Sequence, residues 1–155
     1  MNILVALDLS EASPIVIGQA KKLAKALSAK IWLLHVVNPD PELVVAPVGF
    51  DDATYLQNVG EVRDAIAKEF QNEHRLLQQF SQELRSAGLD CTALLVQGST
   101  AETILKEAAK LSADMVILGS QGKWDLERFF LGSTSEGILH KSPVPVLVVP
   151  THGAT

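Results

Sequence analysis

The sequence predicts an α/β fold, an open parallel sheet with helices on both faces. Three observations predict it. Five short apolar runs, among them "NILVALD" and "KIWLLHVV", carry almost no polar residue for a solvent face. Between them, apolar residues recur three or four apart, the period of amphipathic helices. The two kinds of segment alternate along the chain, and strands joined by crossover helices pair in parallel.

Asn2 to Asp8 reads as a first strand, buried on both faces and ending in a carboxylate. "LSEASP" supplies cap residues and sets Pro14 near a first helical turn, and Val16, Ala20, Leu23 and Leu27 carry that helix's apolar face. Lys30 to Val37 is the second strand. Pro39, Pro41, Pro47 and Gly49 mark a long irregular loop from Asn38 to about Asp52, the one compositional break in the chain. Helical spacing returns at Val59, Val62, Ile66, Phe70, Leu77, Phe80 and Leu84, and Gly88 is placed to end this helix. The pattern exceeds about 30 residues, so a frayed start or a break near Gly60 is expected. Cys91 to Gln97 is the third strand. Ser99 and Glu102 have the spacing of a capping box for a helix carried by Ile104, Ala108 and Leu111. Asp114 to Gly119 is the fourth strand, Ser133 to about Lys141 a short helix, and Val144 to Val149 the fifth strand.

The 155 residues fit one domain, 1–155, large enough to bury a core without metals or disulfides. The net charge is −5 and no Lys/Arg-rich patch occurs. Nucleic acid is therefore not the expected partner, because a phosphate backbone is held by many basic contacts. A single nucleotide remains compatible, since backbone N–H groups supply positive potential locally. Cys91 is the only cysteine, which excludes an internal disulfide and a Cys-based zinc site. It lies in an apolar run and reads as a core residue. "MNILVALDLS" has no basic leader, and no apolar stretch approaches the roughly 20 residues of a membrane span. A cytoplasmic protein with no membrane partner is expected.

One stretch stands out: "GSQGKWDLERFFLGST", Gly119 to Thr134. A phosphate needs close backbone approach and inward N–H donors, and glycine permits both. Gly119 and Gly122 would line the turn after a strand, while Gly132, Ser133 and Thr134 would open a helix whose N-terminus favours anions. The same glycines could simply turn the chain, and Ser133 with Glu136 has the spacing of a second capping box. Spacing alone leaves both readings open. Asp8 is likewise either an acceptor for ribose hydroxyls or an adenine amine, or a cap for the helix after it. His35 lies inside an apolar strand and reads as a satisfied core or rim histidine rather than a base. Trp32, Trp124, Phe129 and Phe130 read as packing residues, and Lys123 as a solvated loop lysine. The single-stretch P-loop, the dinucleotide fingerprint, a His-Glu-x-x-His set and a Gly-x-Ser-x-Gly elbow are all absent.

Together these residues resemble the universal stress protein family, specifically its ATP-binding branch. That branch carries Gly-x2-Gly-x9-Gly-Ser/Thr, matched here by Gly119, Gly122, Gly132 and Ser133. "ILVALDLSE" is similar to the family's first strand with its Asp-x-Ser ending, "LLHVV" to its second strand and "SPVPVLVVP" to its last. The resemblance covers the chain except the stretch from about Asn38 to Tyr55. It implies a Rossmann-like five-stranded sheet of order 3-2-1-4-5, in which the first and fourth strands flank the ligand crevice. It implies a homodimer through the Val144–Val149 edge strand, which is apolar and open to pairing. It also implies ATP as ligand: Asp8 at the adenosine, the backbone of Val36 at the adenine, Gly119 and Gly122 along ribose and phosphates, and Gly132, Ser133 and Thr134 at the phosphates. Mg2+ could bridge those phosphates, though no carboxylate is placed by sequence to hold it. Many members carry valine where this chain has Thr134, a change that backbone contacts would survive.

Three functions follow from these residues. The leading one is a regulatory ATP-binding protein acting as a nucleotide-dependent sensor or switch, with a protein partner still to be identified. The second is slow ATP hydrolysis, for which His35, Glu136 and Lys123 are the only base or acid candidates and each has a structural reading; no catalytic residue is assigned. The third is a dimeric interaction scaffold that uses no nucleotide. Adenylation is set aside, because Asp8-Leu9-Ser10-Glu11 does not supply the Ser-Gly-Gly-x-Asp loop of adenylating relatives.

Overall fold

The computed structural model describes residues 1–37, 52–120 and 133–151, apart from the side chains of 52–63 and 66. The elements run β1 (Asn2–Ala6), α1 (Ser13–Leu27), β2 (Lys30–Val37), α2 (Asp52–Ser86), β3 (Cys91–Gln97), α3 (Thr100–Lys110), β4 (Met115–Gly119), α4 (Ser133–Lys141) and β5 (Val146–Val149). All strand pairs are parallel and the sheet order is β3-β2-β1-β4-β5. The fold is the Rossmann-like α/β arrangement that the alternation requires.

The strands read as continuous apolar runs because both of their faces are covered. Alternate side chains leave a strand on opposite sides. Ile3, Val5, Ile31 and Leu33 meet Val16, Ile17, Ala20 and Ala24 of α1 and Leu77 and Leu84 of α2. Leu4, Ala6, Leu34 and Val36 meet Ile104 and Ala108 of α3 and Ile138 of α4. Each Leu or Ile removed fully from water contributes roughly 1.5–3 kcal/mol, so the two layers carry most of the favourable energy. Cys91 is buried in the first layer.

Several element ends differ from the sequence expectation. β1 stops at Ala6, although Leu7 N–H still reaches the Leu34 carbonyl at 2.8 Å. Beyond it Leu9 takes a left-handed φ of 58°, which turns the chain. β4 begins at Met115, because Asp114 is occupied at the foot of the sheet: its carboxylate accepts Asn2 N–H at 2.7 Å. β5 begins at Val146 rather than Val144. Ser142 Oγ donates to the Val144 carbonyl at 2.8 Å and accepts Val144 N–H at 3.2 Å, so Val144 belongs to a turn.

α2 is continuous through Gly60, with no break. One helical glycine costs only about 1 kcal/mol relative to alanine, too little to interrupt 35 residues. Its end is a Schellman motif: Gly88 has φ of 88°, Gly88 N–H reaches Arg85 and Leu89 N–H reaches Leu84. Ser99 is the N-cap of α3, but its side chain makes no capping bond, so the expected box is not closed there. The irregular loop expected from Asn38 lies outside the described residues. Among the described residues no helix is long and apolar enough to cross a membrane.

Candidate functional site

The strand order reverses at β1, whose chain crosses to β2 on one side and whose other neighbour is β4. A crevice opens beyond the carboxyl ends at such a point. The β1–β4 register runs from Ile3↔Met115 to Val5↔Ile117. Continued by two residues, it sets Leu7 level with Gly119. Asp8 and the end of β4 therefore emerge side by side.

Asp8 is buried, and its Oδ1 accepts Ser10 N–H at 2.9 Å. Ser10 in turn accepts Ala12 N–H on Oγ and Ser13 N–H on its carbonyl. Asp8 thus fixes the Asp8–Ser10 turn. It is not the cap of α1, which has Ala12 at its N-cap, no side-chain capping bond and Pro14 in its first turn.

Val36 contributes its backbone. In β2 the peptide groups of alternate residues point to the same neighbour. Lys30 N–H meets Met1 and the Leu34 carbonyl meets Leu7, both on the β1 side. By the same alternation Val36 presents its N–H and carbonyl toward β1, one step beyond the Leu7–Leu34 bond. Its side chain is buried under α3.

Gly119 ends β4, and its carbonyl accepts Ser135 Oγ at 3.0 Å, across 16 residues of chain. Ser135 is the buried third residue of α4. This bond ties the N-terminus of α4 to the end of β4, and so brings Ser133 and Thr134 to the same edge of the sheet as Gly119. Next to it, Ser120 Oγ accepts Thr151 N–H at 3.1 Å and locks the ends of β4 and β5 together. Gly122 and Gly132 lie outside the described residues, as do Lys123, Trp124, Phe129 and Phe130. Ser135 is a residue that the sequence reading missed. The signal was present in the hydroxyl run Ser133-Thr134-Ser135, but its partner is set by the sheet, not by local spacing.

His35 is buried on the α2 face, opposite the Val36 side chain. Its Nδ1 lies 2.8 Å from the Leu7 carbonyl and its Nε2 3.3 Å from Glu73 Oε2. It is the satisfied core histidine that its strand position suggested. Glu136 is exposed on α4 and pairs with His140 at 3.8 Å. Among the described residues, no three His, Cys, Asp or Glu side chains are gathered to hold a metal ion. A groove lined by Met1, Lys25, Lys30 and Asp90 lies at the amino edge of the sheet, the opposite end from these residues.

The fold recurs in known proteins. Universal stress protein MJ0577 of Methanocaldococcus jannaschii is 28% identical, over 96% of this chain and 93% of its own. Its solved structure superposes with a TM-score of 0.73 over 96% and 94% of the two chains. A universal stress protein of Thermus aquaticus is 31% identical, over 96% of this chain and 97% of its own. The universal stress protein of Archaeoglobus fulgidus solved in complex with dAMP shares the fold, with a TM-score of 0.62 at 20% identity and coverage of 96% and 97%. The family model for universal stress proteins matches residues 1–150, from the first strand to the end of the last. With that span, this sheet order and relatives of matching length, the chain belongs to the universal stress protein family.

Proposed function

We propose that this protein binds ATP at the β1–β4 crevice and acts as a nucleotide-dependent regulator. The observation that carries this reading is the Ser135–Gly119 bond. It holds the start of a nine-residue helix against the end of β4, beside the turn built by Asp8. A helix N-terminus offers first-turn amides and the positive end of its dipole to a phosphate. The spacing of Gly119, Gly122 and Gly132 supports the same use, since glycines allow the backbone to close on phosphate oxygens.

In this reading Asp8 accepts from the ribose, the Val36 peptide meets the adenine edge, Gly119 and Gly122 lie along ribose and phosphates, and Gly132, Ser133 and Thr134 hold the phosphates. The adenine nucleotide in the Archaeoglobus fulgidus protein of the same fold supports the ligand class. Mg2+ would accompany ATP on its phosphate oxygens. The described residues do not favour hydrolysis: His35 is held behind the sheet and Glu136 pairs along its own helix. The β5 edge is proposed as the surface of a homodimer, and a regulatory protein partner would read the nucleotide state.

The test is a calorimetric titration of nucleotide-stripped protein with Mg-ATP, beside the variant Gly122→Val. Saturable micromolar binding in the parent and its loss in a folded variant is the expected result. Equal affinity in both would remove the glycines from the site.

A further inference from the structure

His35 holds two elements at once. Its Nδ1 is 2.8 Å from the Leu7 carbonyl and its Nε2 is 3.3 Å from Glu73 Oε2. A carbonyl has no hydrogen to give, so Nδ1 carries one. Nε2 and the Glu73 carboxyl then attract only with a proton between them, as imidazolium against carboxylate or imidazole against carboxylic acid. The ring is a two-sided clamp.

Each side of the clamp lands on a significant place. Leu7 immediately precedes Asp8, and His35 immediately precedes Val36. The clamp therefore joins, from the opposite face of the sheet, the two segments assigned to adenosine. Glu73 is equally specific. In α2, the described side chains from Asp64 to Asn72 are all exposed, and Glu73 is the first described one that is not. Leu77, Ser81 and Leu84 then bury the face that packs on the sheet. Glu73 marks the point where α2 comes down onto the body.

We propose that His35 is a positioning residue that couples the adenosine end of the crevice to α2, through Leu7 on one side and Glu73 on the other; this rests on the nucleotide reading above. A ligand that bridges Asp8 and Val36 stiffens the Leu7–His35 contact, and Glu73 passes that restraint to α2. Coupling of this kind is reciprocal. A protein that grips the exposed turns of α2 changes nucleotide affinity by the same factor that the nucleotide changes its own.

The variants separate the two sides of the clamp. Asparagine at position 35 sets an amide nitrogen near the place of Nδ1 but is too short for Glu73. Glutamine extends toward the place of Nε2 and gives up Leu7. The experiment is amide hydrogen exchange of α2 from Glu73 to Ser86, with and without saturating Mg-ATP, beside calorimetric affinities. In the parent protein ATP is expected to slow exchange there about fivefold or more. Glu73→Ala is expected to keep ATP affinity within about threefold and lose that slowing. His35→Gln is expected to weaken ATP about tenfold, and His35→Asn to recover most of that affinity without the α2 response. A parent that binds ATP with unchanged α2 exchange overturns the coupling and leaves the nucleotide reading standing. Glu73→Ala that still slows α2 like the parent overturns it too, without touching a buried position. A parent that binds no ATP overturns both.

Discussion

A methyl group placed on Gly98 would lie 2.5 Å from the Thr103 hydroxyl oxygen. Gly98 follows β3, donates to the Val37 carbonyl at 2.9 Å, and has φ of 154°. Both the contact and the dihedral exclude a Cβ. Gly98→Ala is expected to cost about 2–3 kcal/mol, as backbone strain adds to the clash. Adding Thr103→Ala should return only the clash component, which a double-mutant cycle by urea denaturation would isolate. A Gly98→Ala protein as stable as the parent would contradict this.

Ser135→Ala should loosen α4 from β4. The buried hydroxyl is lost and the Gly119 carbonyl gives up its donor. The expected loss is about 1–2 kcal/mol of stability. ATP affinity should fall several-fold with it, because the helix start is no longer held at the crevice. Thermal melts and calorimetry on the same sample report both quantities.

Asp8 combines a turn and a proposed contact, and two substitutions part them. Asparagine keeps an oxygen for Ser10 N–H, so Asp8→Asn should leave stability nearly unchanged. It removes the charge, and with it about tenfold in ATP affinity, because charge-assisted bonds are the stronger kind. Asp8→Ala should lose the affinity and a further ~1 kcal/mol of stability. Parent-like ATP binding by Asp8→Asn would take the carboxylate out of the site.

Burial pushes the Cys91 thiol above its ordinary value of 9.0, with smaller opposing effects from the neighbouring Ser81 hydroxyl and Arg85. The folded protein keeps the thiol proton at a pH where the unfolded chain releases it. Stability from this group is therefore complete below 9.0 and is lost as pH rises through the folded value. As pH rises above 9.0, the parent should lose more stability than Cys91→Ala. Parallel urea titrations of the two proteins check it; equal pH slopes would dismiss the thiol as a contributor.

β5 is an edge strand, and Leu147 is 37% exposed on it. An unpaired apolar edge invites a second copy. Leu147→Lys should shift the proposed homodimer toward monomer by at least about tenfold in dissociation constant. Sedimentation equilibrium measures it, and a parent protein that is already monomeric would end the proposal.

The elements were legible because their signals are local. Periodicity at Val16, Ala20 and Ile104 reports a buried helical face directly, and a run such as Ile31 to Leu34, short and rich in branched residues, fits a covered strand. Ends were less legible. Val144 reads as strand in sequence, yet Ser142 captures both of its peptide groups. Ser99 has cap spacing, yet its hydroxyl makes no capping bond. The sequence marked Asp8 and Gly119 as strand-end residues, and the sheet order brings those two ends side by side. The site was not legible at Ser135 or Glu73. Each meets its partner across the sheet, and only the strand register brings Gly119 or His35 within reach.

The Ser135–Gly119 bond also has a consequence for how this region of the chain can vary. It fixes Gly119 and Ser135 relative to one another, so the entropy of bringing those two points of the chain together is spent once, by the fold. Loop-closure cost grows only with the logarithm of length, about 0.6 kcal/mol for each doubling. An insertion between the two fastened ends is therefore expected to cost the sheet little, while those ends keep their spacing. The sheet thus sets where the intervening segment starts and stops, and leaves its length open to change.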